Sequence, residues 1–323
     1  MSGRLMRSAE ALIGQTDIAS AAPRRVGTLV AHEGLMLEVE GFGQPLGSTA
    51  KVMSAAHAPV RGEVVGFRGN RSIILPFDGD VPYVAGSRVL PDGDGGLATC
   101  GSGLLGRVVD AHGDPLDGRG PITSRFSWPL AGRRANPLQR GRVTRALDMG
   151  VRSINGLLTI GQGQRVAIIA GSGVGKSVLM GQMLAGAECD VMVVGLVGER
   201  SREVSDFLET KLTPSMRART AVVAVPADHP PLLRLRAAMR ATAIAEYFRN
   251  EGKNVFLLID SLTRVAHAQR EIGLSLGEPP TMKGYPPSAL GIIPRLVERA
   301  GADRVTGGSI TAIYTVLADG GTI

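Results

Sequence analysis

The amino-acid sequence predicts an α/β protein in which a parallel sheet covered by helices follows a small β-barrel. Short β-like runs separated by glycine fill Arg24–Leu90, and five or six strands in so short a segment are typical of a small barrel. Beyond Leu104, apolar β-branched runs alternate with helical stretches, as in a sheet whose strands are buried on both faces. We therefore expect a barrel domain over 21–95 and an α/β domain over 96–323.

The first segment, 1–20, has the pattern of a short amphipathic helix. One face carries Leu5, Met6, Ala9, Leu12 and Ile13. An isolated helix of this length is marginal in water, so the segment either docks on a partner, a membrane surface or its own domain, or stays disordered.

The barrel strands are expected where apolar and β-branched residues lie between glycines. These runs are Val26–Val30, Leu35–Val39, Gly62–Phe67, Arg71–Leu75 and Ser87–Leu90. The turn-rich segment Pro91–Gly96, which reads PDGDGG, is predicted to link this domain to the next.

The parallel sheet is expected to use strongly apolar runs, with helices between them. The strands are predicted at Arg165–Ile169, Val191–Leu196, Ala221–Val225, Val255–Ile259 and Ser309–Leu317. The helices are predicted at Lys176–Ala187, Ser201–Lys211 and Pro231–Glu251. In the last helix one apolar stripe indicates core packing; it consists of Leu232, Leu235, Met239, Ala243 and Tyr247.

Composition narrows the class of protein. No run approaches the ~20 apolar residues of a membrane span, and the N-terminus lacks a signal segment, so a cytoplasmic protein is expected. Cys100 and Cys189 form no metal-binding pair, which disfavours a zinc site or a disulfide framework. The net charge of +7 is compatible with nucleic acid, anionic lipid or acidic proteins, but aromatic residues make up only 4%, which disfavours nucleic acid.

The strand at Arg165–Ile169 runs into AGSGVGKS and then a helix, which is the context of a phosphate-binding loop. The loop residues are Ala170, Gly171, Ser172, Gly173, Val174, Gly175, Lys176 and Ser177. The glycines let backbone N–H groups converge on phosphate oxygens, Lys176 is predicted to reach the β- and γ-phosphates, and the Ser177 hydroxyl to bind Mg²⁺. The motif predicts binding of Mg-ATP, against the alternative of a glycine-rich turn that binds nothing. Ala170 replaces the usual first glycine, which is tolerable at the end of a strand.

Three further positions are candidates at the same edge of the sheet. Asp260 ends the run NVFLLID, where a magnesium-binding carboxylate is expected; the alternative is a helix N-cap. Glu199, in VGERSREV, either positions the attacking water, or pairs with Arg200 or Arg202, or caps the helix that begins near Ser201. Arg200 lies beside it, and Arg264 either contacts phosphate or balances a carboxylate.

Several segments together resemble the flagellar export ATPase family, which is related to the ATPases of type III secretion injectisomes and, more distantly, to the catalytic subunit of rotary ATP synthases. The resemblance runs from about Arg24 to Ile323. It rests on GRVVDAHGDPLDGRGPI, ALDMGVRSINGLLTIGQGQRVAIIAGSGVGKSVLMGQM, GLVGERSREVSDFLE, LLIDSLTRVAHAQREIGLSLGEPPTMKGYPPSALGIIPRLVERAG and GSITAIYTVLADG.

The resemblance implies a β-barrel followed by a RecA-like P-loop NTPase core that hydrolyses ATP at the interfaces of a homohexamer. Lys176 and Ser177 take the phosphate and Mg²⁺ roles, Glu199 orients the water, Arg200 belongs to the same motif, and Asp260 and Arg264 are the acid and arginine of the second motif. Implied partners are a dimeric stator-like regulator at the N-terminal helix, a stalk protein, the export gate and substrate–chaperone complexes. The expected location is cytoplasmic, peripheral at the inner face of the plasma membrane.

The family sequence continues beyond Ile323 into a stretch that carries an arginine finger, which contributes about 10³–10⁵ in rate. Its loss predicts nucleotide binding with little turnover, so an inactive nucleotide-binding fragment is the main alternative to an ATPase. An injectisome ATPase and a rotary synthase subunit are alternatives within the resemblance. A Rho-type RNA translocase is the alternative from another class, but the barrel segment lacks the interleaved aromatic and basic residues of RNA-binding barrels.

Overall fold

The computed structural model describes residues 25–318 except 55, 56, 80, 94, 135 and 172, so the helix predicted over 1–20 lies outside the described residues. These residues form two compact units. One contains the residues up to Pro76 together with 81–95, and the other contains Phe77–Gly79 and 96–318. In the described part of the chain, no helix is both long and apolar enough to cross a bilayer.

The first unit is a closed antiparallel barrel of six strands, in the order β1-β2-β5-β4-β3-β6 with β6 returning to β1. The strands are β1 (Gly27–Glu33), β2 (Met36–Glu40), β3 (Thr49–Val52), β4 (Val60–Arg68), β5 (Arg71–Pro76) and β6 (Arg88–Pro91). The predicted barrel is confirmed. The sequence pattern did not predict β3. The predicted linker Pro91–Gly96 begins one residue too early, because Pro91 is still part of β6 and pairs with Ala50 of β3.

The barrel interior is filled by apolar side chains that alternate along the strands, including Leu37, Val39, Ile74 and Val89, none of which is exposed. Gly62 is required by close packing, since a Cβ there would lie 2.7 Å from Cγ2 of Ile74. The alternation places polar residues outside, as expected for a small closed barrel.

The second unit contains a sheet ordered β10-β15-β13-β11-β12-β8, in which all of these strands are parallel and the short β14 pairs antiparallel with β15. Its strands are β8 (Val108–Val109), β10 (Arg165–Ala170), β11 (Val191–Val197), β12 (Thr220–Val225), β13 (Asn254–Asp260), β14 (Gly301–Ala302) and β15 (Ser309–Leu317). The predicted parallel sheet is confirmed. The pair β7 (Leu97–Cys100) and β9 (Phe126–Pro129) forms a separate two-stranded sheet, which the sequence pattern did not indicate.

The helices between these strands are α1 (Lys176–Gly186), α2 (Ser201–Thr210), α3 (Pro214–Arg217), α4 (Pro231–Asn250), α5 (Leu262–Ser275) and α6 (Pro287–Glu298). The prediction of a single buried stripe on α4 was too narrow. Nearly every residue of α4 is buried, including Arg236, Arg240 and Glu246, because the helix packs on the parallel sheet, on α5 and on the β7–β9 pair.

A buried ion pair joins β8 to the loop that follows it. The Arg107 guanidinium donates to both carboxylate oxygens of Asp117 at 2.8 and 2.9 Å, and the backbone N–H of Val108 donates to Asp117 at 3.1 Å. The Arg107 hydrogen bond holds the pKa of Asp117 well below its usual range, although burial of the carboxyl opposes that shift.

We expect Asp117→Asn to lower the free energy of unfolding at pH 7 by about 1–2 kcal/mol, because it removes the charge partner of Arg107 and weakens two charge-assisted hydrogen bonds. The folded pKa is depressed, so the contribution is complete above the unfolded pKa of ~3.9 and is lost as pH falls below it. Denaturant unfolding of wild type and variant between pH 7 and pH 3 measures this difference. The exposed Asp228→Asn is the control, and an equal effect of both variants would contradict the prediction.

Candidate active site

Strand order brings the predicted site residues to one edge of the parallel sheet. β10 ends at Ala170 and leads into the phosphate-binding loop, while β13 ends at Asp260 and β11 ends two residues before Glu199. β15 lies between β10 and β13, paired with both. Because the carboxyl ends of parallel strands share an edge, loop and carboxylates face the same cleft.

The loop has the backbone that the sequence predicts. Gly173 and Gly175 adopt positive φ values of 80° and 94°, in the region that side chains other than glycine rarely adopt. Apart from their chain neighbours, no described residue has an atom within 4 Å of the point where a Cβ would stand at either position. Lys176 is the first residue of α1, which places the helix N-terminus at the loop. Such a terminus presents backbone N–H groups to an anion.

The other described residues of the loop lie at the end of β10 and along the cleft. Ala170 is the last residue of its strand and pairs with Leu317 of β15. Gly171 and Ser177 line the cleft, and the Val174 side chain points to solvent with 69% exposure. Ser172 lies outside the described residues.

Lys176 and Asp260 form an ion pair at the mouth of the loop. The Lys176 Nζ lies 2.6 Å from Oδ1 of Asp260, and only 5% of Asp260 is exposed. The same oxygen accepts a hydrogen bond of 2.5 Å from the Thr315 hydroxyl. Ser261, not Asp260, is the N-cap of α5 and accepts a hydrogen bond from the backbone N–H of Arg264. The Asp260 carboxylate is therefore directed at the loop lysine and does not cap the helix.

Glu199 lies buried beside this pair, with 8% exposure. Burial raises the pKa of its carboxyl to about 7, and the neighbouring Asp260 carboxylate acts in the same direction. A terminal nitrogen of the Arg264 guanidinium lies 3.8 Å from Oε2. Oε1 is buried and has no hydrogen-bond partner among the residues that the structure describes. A side-chain hydrogen bond with Glu203 also raises the pKa of Glu199, so the acceptor without a partner is Oε1 alone.

The arginines differ in placement. Arg264 lies next to Glu199, as a residue that balances a carboxylate would. Arg200 is 81% exposed and lies 3.5 Å from Glu203, one turn along α2, so it stands at the rim of the cleft. The N-cap of α2 is Arg200 and has no side-chain hydrogen bond, which shows that Glu199 does not cap this helix.

The cleft has a volume of about 580 Å³, within the range of roughly 300–1,000 Å³ that ligand pockets occupy. It is also lined by side chains that sequence reasoning did not single out, among them Glu203, Phe207 and Lys211. Thr315, the hydrogen-bond donor to Asp260, was missed as well. The strand SITAIYTVL contains four hydroxyl residues, and nothing in the sequence distinguishes Thr315 from the other three except its place near the strand end.

The donors and acceptors of the cleft fit a magnesium-bound polyphosphate. An ammonium group and a helix N-terminus supply positive charge, while the Ser177 hydroxyl and the Asp260 carboxylate are hard oxygen ligands of the kind that Mg²⁺ prefers. Among the described residues, the structure shows no cluster of three His, Cys, Asp or Glu side chains that would by itself hold a metal ion. Mg²⁺ typically keeps several waters and shares its site with substrate phosphates, so one hydroxyl and one carboxylate beside the phosphate-binding loop are compatible with it.

Comparison with known proteins relates this chain to ATPases of two protein-export systems. Residues 150–323 match the family model of the ATP synthase alpha/beta family, nucleotide-binding domain. The flagellum-specific ATP synthase of Pseudomonas aeruginosa is 49% identical over 317 residues, which cover 97% of this chain and 70% of that protein. The type 3 secretion system ATPase of Xanthomonas euvesicatoria is 44% identical over 300 residues, covering 93% and 67%.

A solved structure of the assembled ATPase EscN with its central stalk EscO, from the type III secretion system of enteropathogenic E. coli, superimposes with a TM-score of 0.83. The sequences are 39% identical, and the match covers 90% of this chain and 71% of EscN. The chain therefore belongs to the ATP synthase alpha/beta family, together with the ATPases of flagellar and type III protein export.

Proposed function

We propose that this chain binds Mg-ATP in the cleft beside Lys176 and hydrolyses it to energise flagellar protein export. The observation that carries the hydrolytic part is the buried Glu199, which lines the same cleft as the Lys176–Asp260 pair and has no hydrogen-bond partner for Oε1 among the described residues. The names of the relatives support the export role.

Nucleotide binding would exchange one partner of Lys176 for another. The ammonium group, now paired with Asp260, turns to the β- and γ-phosphate oxygens, while the backbone N–H groups at the start of α1 bind the same phosphates. Ser177 and Asp260 would hold Mg²⁺, which when bound neutralises charge on the phosphate oxygens. The released Asp260 carboxylate is then free to face the metal.

Hydrolysis requires an oriented water, and the chain offers Glu199 for this role. Its ionised carboxylate accepts a hydrogen bond from the attacking water and holds the water's oxygen toward the γ-phosphate. Because the pKa of Glu199 is about 7, the carboxyl changes its protonation state near neutral pH. Arg264 keeps the carboxylate in place and adds positive charge beside the phosphates, and the exposed Arg200 would be free to contact a neighbouring subunit of the proposed hexamer.

The proposal includes assembly and partners. EscN is assembled and binds a central stalk, and we extend to this chain a homohexamer, a stalk protein, a dimeric regulator at the N-terminal segment, the export gate and substrate–chaperone complexes. Nucleic acid is not among the proposed partners. We place the chain in the cytoplasm, peripherally at the inner face of the plasma membrane, since the ATP that it would use is kept there.

We expect Mg²⁺-dependent phosphate release from ATP whose specific activity rises with protein concentration, because hydrolysis at subunit interfaces requires assembly. The exposed Lys253→Ala variant is the control and should match wild type. A specific activity that stays constant from monomer to oligomer would contradict the interface site.

Production of the chain in a strain without its flagellar export ATPase tests the biological role by secretion of hook and filament proteins. Rescue of injectisome secretion alone would assign the chain to that system instead.

A further inference from the structure

Thr315 lies in the middle of the parallel sheet, and the proposed function gives this residue no role. It lies near the end of β15, pairs with Ile168 of β10, and follows Tyr314, which pairs with Ile259 of β13. The strand on one side therefore leads to the phosphate-binding loop, and the strand on the other side ends at Asp260. The Thr315 side chain is completely buried, so its hydroxyl has no access to solvent.

The Thr315 hydroxyl and the Lys176 ammonium group share one oxygen of Asp260. Oγ1 of Thr315 lies 2.5 Å from Oδ1, and Nζ of Lys176 lies 2.6 Å from the same atom. An ionised carboxylate only accepts, so the hydroxyl is the donor. Within the described part of the chain, the structure places no hydrogen-bond donor on Oδ2 of Asp260. Two donors thus fix one oxygen and leave the other available.

We propose that Thr315 is a positioning residue that keeps Asp260 oriented toward Mg²⁺ when Lys176 leaves for the nucleotide phosphates. This inference rests on the proposed function, in which Lys176 leaves Asp260 to bind the nucleotide phosphates. Once the ammonium group has turned away, Thr315 is the remaining donor on Oδ1.

The position is suited to orienting Asp260 because both the side chain and the backbone of Thr315 are held in place. A β-branched side chain in a buried strand has few rotamers, and ladders on both sides fix the backbone of β15. A carboxylate held by such a donor presents its second oxygen in a constant direction. Residues that orient metal ligands in this way typically contribute about 10–100-fold to metal affinity.

The test is Thr315→Val, which replaces the hydroxyl by a methyl group of similar size. A fluorescent ADP analogue is titrated against wild type and variant in Mg²⁺ and in EDTA, and the ratio of the two affinities measures the metal contribution. We expect this ratio to fall about 10-fold or more in Thr315→Val, with the affinity in EDTA unchanged within about twofold, and Thr315→Ser to restore the ratio.

Thr242→Val is the matched control, because Thr242 is equally buried but donates to the backbone of Ala238 within α4. An unchanged metal ratio in Thr315→Val would overturn the proposal, as would equal loss of affinity with and without Mg²⁺, which indicates general disruption of the cleft. If thermal unfolding shows that Thr315→Val does not fold, Thr315→Ala is measured with the same expectation. Failure of wild type to bind the analogue at all would instead contradict the proposed function.

Discussion

Replacing Lys176 by alanine is expected to weaken binding of adenine nucleotides at least about 100-fold. The substitution removes charge-assisted contacts to both the β- and the γ-phosphate, and such contacts contribute about 1.5–3 kcal/mol each, so losing two corresponds to about 100-fold or more. It also leaves the Asp260 carboxylate without its ammonium partner, so that a negative group faces the incoming polyphosphate. Titration with Mg-ADP, followed by fluorescence or calorimetry, measures the loss.

Two further variants separate this effect from unfolding. Lys253→Ala removes an exposed lysine outside the cleft and should leave nucleotide affinity unchanged. Lys176→Arg keeps the charge but not the compact shape of the ammonium group, and we expect its affinity to lie between those of wild type and Lys176→Ala. If Lys176→Ala folds, as judged by thermal unfolding, and binds nucleotide as wild type does, the phosphate role of Lys176 is wrong.

Replacing Glu199 by glutamine is expected to retain nucleotide binding and to lower hydrolysis by about 10²–10⁴-fold. The glutamine amide has the shape of the carboxyl group but is neutral. It therefore lacks the negative charge with which the carboxylate orients the water. In wild type, hydrolysis should increase as pH rises through about 7, where the Glu199 carboxyl ionises. This limb of the pH profile should be absent in any residual activity of the variant.

The same substitution is expected to stabilise the folded chain at neutral and alkaline pH. The folded pKa of Glu199, about 7, lies above the unfolded value of ~4.3, so ionisation of the buried carboxyl destabilises the fold increasingly between pH 4 and pH 7. We expect Glu199→Gln to gain on the order of 1–3 kcal/mol over wild type at pH 8 and little at pH 4. Denaturant unfolding at both values measures the gain. Destabilisation at pH 8 would show that the carboxylate is well solvated or paired.

Most of the fold could be predicted from the sequence because the patterns that indicate its strands are local. Five of the six barrel strands overlap their predicted runs, and all five predicted strands of the parallel sheet are present. The missed strand, Thr49–Val52, has only four residues and carries a lysine, so its β pattern is weak although it pairs with both β4 and β6. The short β8 likewise gains its partner, β12, only in the folded sheet.

The site was predictable in part. The loop and the end of β13 have recognisable spacing, but the sequence left open whether Glu199 caps a helix, pairs with an arginine or faces the cleft. In the folded sheet Glu199 faces the cleft beside Asp260 and Lys176, and the arginine next to it is Arg264, while the guanidinium of Arg200 stays at the rim. Thr315 could not be found by motif, because its function depends on β15 lying between β10 and β13.

A structure of the chain with Mg²⁺ and a non-hydrolysable ATP analogue tests the central claim most directly. We predict phosphate oxygens within hydrogen-bonding distance of the backbone N–H groups at the start of α1, and Lys176 Nζ moved from Asp260 to the phosphates. A nucleotide bound elsewhere, or one bound while the 2.6 Å Lys176–Asp260 contact persists, would contradict the account.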